Sequence, residues 1–362
     1  MFSFEIQPYT LQFRFEAGTS RGVLKEKKSW FVILRNSDFP GLEGWGEAGF
    51  LPGLSSENLS TFESDLNLLG NFLLPLMEEK PRNWRRLSAN WLENWNGPWL
   101  PSGLFAFETA WLDWVNGGKK LICDADFHLG NWRVPINGLV WMNPIVTMEE
   151  QAREKKEAGF DTIKLKVGAL NWTEEFELIQ RIRAEMPASE FKIRLDANGA
   201  WELKEAFQKL EALAPFEIDS IEQPIAVGQI EGLADLCRHS PIPIALDEEL
   251  NGKPYDHQKF NLLEAVEPQF IVLKPSLLGG LGQTNQWISM AEDLGIDWWI
   301  TSMLESNVGL NAISQLAAQY RPFLPQGLGT GQLYTNNISS PLSISNGEIF
   351  SDPDLAWQTN LK

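Results

Sequence analysis

The chain has 362 residues, 43% hydrophobic and 22% charged, an ordinary globular balance that excludes a disordered or fibrous protein. Basic residues number 30 and acidic residues 48, so the formal charge is 30 − 48 = −18, which argues against nucleic acid and anionic membrane surfaces as partners but leaves room for a small anion at a local positive site. No apolar run approaches the ~20 residues that span a bilayer, Met1–Glu5 does not open a signal peptide, and Cys123 and Cys237 are too few for a disulfide framework or a zinc site, so a cytoplasmic protein with buried thiols is expected.

Residues 2–16 and 30–36 read as strands, with Phe13, Phe15, Phe31 and Ile33 alternating. Gly44–Ala48 and Leu51–Ser56 are punctuated like a loop. From Ser56 to about Gly117 the pattern turns helical, with one apolar stripe of Leu66, Leu68, Leu69, Phe72 and Leu73 and another of Leu104, Phe107, Ala110, Trp111 and Trp114. Strands followed by a block of helices make an α+β unit.

After residue 133 short β-branched runs alternate with helical stretches: Asn137–Met142, Thr162–Val167, Lys192–Asp196, Ser220–Glu222, Ile242–Asp247, Phe270–Lys274 and Asp297–Ser302. The polar residues near their ends, Lys166, Asp196, Glu222, Asp247, Lys274 and Ser302, are spaced by 30, 26, 25, 27 and 28 residues, the length of one strand-plus-helix unit. With a first strand near Val140 and an eighth near Gly327–Gly331, this predicts a (β/α)8 barrel, the alternative being a doubly wound open sheet. No dinucleotide fingerprint follows any strand, since Gly279-Gly280-Leu281-Gly282 lacks the spacing. Leu342, Ile344 and Ile349 around Asn346-Gly347 read as a hairpin expected to pack back on the N-terminal domain.

Residues two apart in a strand share a face. Lys164 and Lys166 therefore point one way, as do Arg194, Asp196 and Asn198, and inward charges in an apolar barrel are costly unless they meet a partner or an ion. Three successive units end in a carboxylate, Asp196, Glu222 and Asp247, set side by side by adjacent strands. A hard divalent cation with oxygen ligands relieves their repulsion, and few carboxylates plus water suit Mg²⁺, with Mn²⁺ as a substitute. Glu248 and Glu249 flank Asp247, and alternation does not choose among the three at a strand end. Lys166 and Lys274 end the second and sixth units, across the ring from each other. A substrate on the metal is then bracketed by ammonium groups, an arrangement for removing a proton next to a carboxylate: one lysine is the base, while metal and lysine charge stabilise an enediolate. His128, His239 and His257 lack metal spacing and read as surface or capping residues.

Lys164-Leu165-Lys166, Asp196-Ala197-Asn198, Glu222-Gln223-Pro224, Asp247-Glu248 and Lys274-Pro275-Ser276 together resemble the enolase superfamily, in its muconate-lactonizing subgroup. The resemblance runs over essentially the whole chain. It implies an α/β fold, a modified (β/α)8 TIM barrel over residues 133–335 beneath an α+β capping domain over 1–132, to which the segment 336–362 returns. It implies Asp196, Glu222 and Asp247 as Mg²⁺ ligands, Lys166 and Lys274 as the catalytic pair, and Asn198 as a supporting group. Gly44–Ala48 with Leu51–Ser55 resembles the mobile cap loop of the o-succinylbenzoate synthase family. Lys274–Gly280, Thr301–Ser306 and Gly327–Leu333 resemble that family's rim segments, and Leu54, Lys164, Arg194, Ser302, Glu305 and Gly329 are expected as substrate contacts or supports. The reaction implied is dehydration of a small anionic carboxylate, 2-succinyl-6-hydroxy-2,4-cyclohexadiene-1-carboxylate, to 2-succinylbenzoate, a step toward menaquinone. Dipeptide epimerases of the superfamily usually carry an Asp-x-Asp at the eighth strand, whereas Gly327-Leu328-Gly329-Thr330-Gly331 holds no carboxylate, which favours a substrate without an amine. The alternatives within the superfamily are a dipeptide epimerase and an N-succinylamino acid racemase, the latter because its activity overlaps that of o-succinylbenzoate synthases. The alternative from a different class is a non-catalytic, anion-binding barrel. The oligomeric state is not read from these residues.

Overall fold

A computed structural model describes residues 1–19, 22–79 and 94–359. The part of the expected helical block over residues 80–93 lies outside the described residues. The chain opens with a three-stranded antiparallel sheet, β1 (Phe2–Thr19), β2 (Gly22–Asn36) and β3 (Glu43–Phe50). The first two are longer than their alternation suggested, and β3 corrects the expected loop at Gly44–Ala48. Its glycines serve close packing: a β-carbon on Gly44 or Gly46 would fall on the carbonyl oxygens of Ala110 and Ala106. That approach lets β3 lie directly on helix α2 (Pro101–Val115), which follows α1 (Phe62–Glu78). In α1, Leu66, Leu69 and Leu73 are fully buried, while Leu68 faces outward at 53% exposure and does not belong to the stripe.

A short helix α3 (Ala125–His128) and strand β4 (Val134–Pro135) lead into the barrel. Among the described residues its parallel sheet has seven strands, ordered as in the chain: β5 (Gly138–Val140), β6 (Thr162–Lys166), β7 (Lys192–Asp196), β8 (Ser220–Glu222), β9 (Ile244–Leu246), β10 (Phe270–Leu273) and β11 (Asp297–Ile300). The connections carry α4 (Ile145–Glu157), α5 (Trp172–Glu185), α6 (Leu203–Leu213), α7 (Ile230–His239), α8 (Asp256–Val266), α9 (Pro275–Leu278) and α10 (Leu281–Asp293), and α11 (Asn307–Gln319) follows β11. The eighth strand expected near Gly327–Gly331 shrinks to single parallel bridges, Thr301 to Gly327 and Ile136 to Gln326, which join the last strand to the first. Gly327 fits this seam because a β-carbon there would meet the Thr301 side chain.

Outward strand residues such as Leu165, Leu195, Ile221 and Leu246 pack with the helices in one continuous core. The closing hairpin, β12 (Leu342–Ser345) and β13 (Glu348–Ser351), pairs with β4 rather than with the N-terminal sheet. Ile338 and Trp357, on either side of it, are the residues that reach Phe31 and Trp45 of that sheet. Neither cysteine forms a disulfide.

Two buried carboxylates tie the N-terminal unit to the barrel. Glu108 on α2 accepts hydrogen bonds from the Leu281 and Gly282 N–H groups, the latter at 3.0 Å, at the start of α10. Glu47 on β3 accepts from the Ser306 N–H at 3.0 Å and the Gly309 N–H at 3.1 Å at the start of α11. Each satisfies N–H groups that a helix leaves unpaired at its N-terminus, and sets carboxyl oxygens at the positive end of its dipole.

Candidate active site

Strand register assembles the charged cluster. Lys166 pairs with Asp196 across β6 and β7, and Asp196 with Glu222 across β7 and β8. Glu222 pairs with Ala245, so Asp247, two residues on, rises beside it from β9. One carboxylate oxygen from each of Asp196, Glu222 and Asp247 lies within 4.8 Å of the others, and all three residues are buried. Two residues just past these carboxylates hold left-handed backbone, Asn198 at φ +45° and Gln223 at φ +37°, a conformation that non-glycine residues adopt rarely and often at functional sites. Gln223 Oε1 accepts from the Asp247 and Glu249 N–H groups at 3.3 and 3.2 Å, so it fastens the turn after Glu222 to the one carrying Asp247.

Three ammonium groups face the carboxylates. Lys164 Nζ donates to Glu222 Oε2 at 2.7 Å and to Asp196 Oδ2 at 3.2 Å. Lys166 Nζ donates to Asp196 Oδ2 at 3.0 Å and Asn198 Oδ1 at 2.7 Å. Lys274 Nζ donates to Asp247 Oδ1 at 2.6 Å. Burial works against charge on Asp196, yet the Lys166, Lys164 and Lys274 ammonium groups hold its carboxyl below the usual range. Burial pushes Glu222 and Asp247 upward, and neighbouring carboxylates add to it. Burial also opposes the Lys164 and Lys274 ammonium groups, but the carboxylates around them raise both above an ordinary lysine.

The donor set suits a hard divalent cation. Three carboxylates converge, and Glu222 Oε1 is buried with no hydrogen-bond partner among the described residues, an acceptor that costs free energy unless something positive meets it. Three lysines face four carboxylates, Glu248 included, a sum of 3 − 4 = −1, so a divalent ion would leave this floor with one surplus positive charge, suited to an anionic substrate.

Above the cluster lies a cavity of about 130 Å³ between the N-terminal unit and the barrel rim. Of the residues singled out in the sequence, Leu54, Lys164, Lys166, Asp196, Asn198, Lys274, Ser302 and Gly329 line it. Ser302 Oγ lies 2.6 Å from Thr330 Oγ1. Glu248, but not Glu249, lines this cavity too, and accepts from Asn198 Nδ2 at 3.0 Å. Glu249 turns to a neighbouring cavity and accepts from the Gly228 N–H at 2.8 Å.

Glu222 and Asp247 lie beneath the cavity rather than lining it, and two residues expected as substrate contacts or supports, Arg194 and Glu305, are not brought to it. Arg194 points into the barrel as its strand parity requires, but at the opposite depth: it stacks 4.1 Å from the Trp299 ring and donates to Asp219 Oδ2 at 3.1 Å and the Pro325 carbonyl at 2.7 Å. Parity gives the face of a strand, not the height along it. Glu305 is buried behind the wall, where it accepts from Ser276 Oγ and, at 2.8 Å, from the Met303 N–H. His239 pairs with Asp235, His257 stacks on Tyr255, and His128 sits on α3; none lines the cavity.

Sequence reasoning missed Asn137, Leu139 and Trp141 on the first unit and Leu24 on β2, whereas Leu51, Pro52, Thr301, Met303, Leu304 and Thr330 line the cavity from the segments expected at the cap and rim. The regular spacing of strand ends, extended one unit back from Lys166, falls near Leu139 and could have found the first group. Nothing local marks Leu24.

Residues 147–353 match the family described as Enolase C-terminal domain-like. An o-succinylbenzoate synthase of Desulfotalea psychrophila is 42% identical over 93% of this chain and 95% of its own length. The crystal structure of MenC from Desulfotalea psychrophila superposes with a TM-score of 0.83 at 38% identity, over 96% of this chain and 99% of that one. An L-Ala-D/L-Glu epimerase of Bacillus subtilis is 28% identical over 80% of this chain and 78% of its own. On this fold, this cluster and these similarities, the chain belongs to the enolase superfamily and, within it, to the o-succinylbenzoate synthase family.

Proposed function

We propose that the protein is an o-succinylbenzoate synthase, dehydrating 2-succinyl-6-hydroxy-2,4-cyclohexadiene-1-carboxylate to 2-succinylbenzoate on the path to menaquinone. The observation that carries the choice within the superfamily is where the charges stand. The cavity's carboxylates, Asp196 and Glu248, belong to the floor, whereas Leu54, Leu139, Trp141, Thr301, Ser302, Met303 and Thr330 make walls with no acidic group to hold an ammonium. A dicarboxylate with an apolar ring suits such a site better than a dipeptide.

Asp196, Glu222 and Asp247 would hold Mg²⁺, which when bound supplies positive charge for the substrate carboxylate as the adjacent C–H bond weakens. Lys166 is the base. It takes the proton from the ring carbon bearing the carboxylate, the electron pair moves into the bond to the next ring carbon as hydroxide departs, and Lys166 returns the proton to that hydroxide as water. Proton removal and return on one face make a syn elimination that needs a single base. Asn198 Oδ1 orients Lys166 Nζ, and Lys274, across the ring, meets the negative charge that develops on the substrate. Leu51, Pro52 and Leu54 roof the cavity and exclude water.

One assay panel tests this: the cyclohexadiene carboxylate beside N-succinylamino acids and dipeptides, with proton exchange followed in deuterated water. Dehydration with the highest kcat/KM is expected. Turnover of dipeptides alone would overturn the specificity and leave the superfamily standing; no metal-dependent exchange with any of them would mean a binding barrel.

A further inference from the structure

Lys27 on β2 is 2% exposed, and its ammonium group stands 3.6 Å from Glu47 Oε1 and 3.2 Å from Ser29 Oγ, which itself donates to Glu47 at 2.8 Å. Across the junction with the barrel, buried Glu305 feels the same ammonium. The two carboxylates hold different walls of the cavity. Glu305 accepts from the Met303 N–H at 2.8 Å and from Ser276 Oγ, two residues past Lys274. Glu47 sits on β3, four residues before Leu51, and holds the Ser306 N–H at 3.0 Å. A methyl group on Gly49 would stand 2.5 Å from Lys27 Nζ and 3.1 Å from Met303 Cε, so the ammonium reaches the back of the wall itself. Tyr334 completes the cluster, its hydroxyl donating to the Leu304 carbonyl at 2.7 Å.

We infer that Lys27 is a positioning residue for substrate binding: its ammonium group, beside Glu47 and behind Met303, keeps the Leu51–Leu54 turn and the Met303–Leu304 segment in register, and so sets the width of the apolar seat. A buried ion pair need not add stability, because an apolar replacement of similar size often serves as well. The face of the seat is largely apolar, yet it is hung on charges buried behind the cavity lining. Lys27→Met leaves the buried Glu47 and Glu305 carboxylates without the charge of this ammonium. The double variant Lys27→Met with Glu305→Gln restores the charge, since the cluster sums to 1 − 2 = −1 in the native protein and to −1 again in the double variant.

The inference takes its substrate from the function proposed above, so the test has one arm with substrate and one without. In the dehydration assay the double variant should recover most of the Tm lost by Lys27→Met but keep a KM raised about tenfold, with kcat changed less. Wild-type KM in the double variant overturns the inference, because a residue needed only for folding would recover both quantities together. Hydrogen exchange needs no turnover: the Leu54, Met303 and Leu304 amides should exchange faster in the double variant than in the native protein, and unchanged exchange at both walls overturns it. An inactive native enzyme would instead overturn the proposed reaction, leaving exchange to decide the role of Lys27.

Discussion

Lys166 and Lys274 reach the same cluster from opposite sides of the ring, with different partners: Asp196 and Asn198 for one, Asp247 for the other. Their replacement therefore separates two kinds of loss. Lys166→Ala is expected to lose dehydration and substrate proton exchange together, by at least about 10²–10⁴-fold, the usual contribution of a positioned base. Mg²⁺ binding, followed by calorimetry, should survive, because no carboxylate is removed. Lys274→Ala should be comparably slow through lost charge stabilisation. If Lys166→Ala kept near-native dehydration while Lys274→Ala did not, the base would be the other lysine.

At the scale of elements, the contact between β3 and α2 rests on a missing side chain. Gly46→Ala would drive a methyl group into the Ala106 carbonyl, backbone that cannot step aside, and should cost about 2–3 kcal/mol, read as a lower denaturant midpoint at unchanged m-value. The clasp between α2 and α10 has a pH signature. Burial pushes Glu108 up to about 8, against the two N–H groups it accepts from. Its folded pKa is raised, so between the ordinary glutamate range and about pH 8 the folded state binds a proton that the unfolded chain has released. The contribution of this group to stability must then fall as pH rises through that window. Comparing Tm against pH for the native protein and Glu108→Gln isolates the effect: the native curve should drop more steeply between about pH 5 and 8. Parallel curves would mean that the carboxylate is ionised throughout, held by the α10 dipole.

For the molecule as a whole, the proposed metal would couple chemistry to stability. Asp196, Glu222 and Asp247 converge only in the folded chain, so a cation bound there stabilises it by mass action, about 2.7 kcal/mol at a hundred times the dissociation constant. Chelation should abolish turnover and lower Tm, and added Mg²⁺ should restore both, with Tm rising with Mg²⁺ concentration. Full activity in a rigorously metal-free preparation would sink the assignment. Among the described residues no helix is long and apolar enough to cross a membrane.

Much of the barrel and of its charged floor was legible along the chain, because a strand-plus-helix unit has a nearly fixed length and a strand alternates its faces. Spacings of 25 to 30 residues therefore set Lys166, Asp196, Glu222, Asp247 and Lys274 on successive strand ends, and parallel register brought them together. Distances across the fold were not legible. Arg194 shares a face with Asp196 but lies a pleat lower, where Trp299 and the Pro325 carbonyl claim it. Gly44–Ala48 carries the residues of a turn, yet becomes a buried strand because α2 passes so close that only glycine fits beneath it. Leu24 and Trp141 line the same cavity from positions 117 residues apart, and only packing of the N-terminal sheet over the barrel mouth unites them. Local sequence determines the period and face of each element; which faces meet, and at what height, is decided by burial summed over the whole chain.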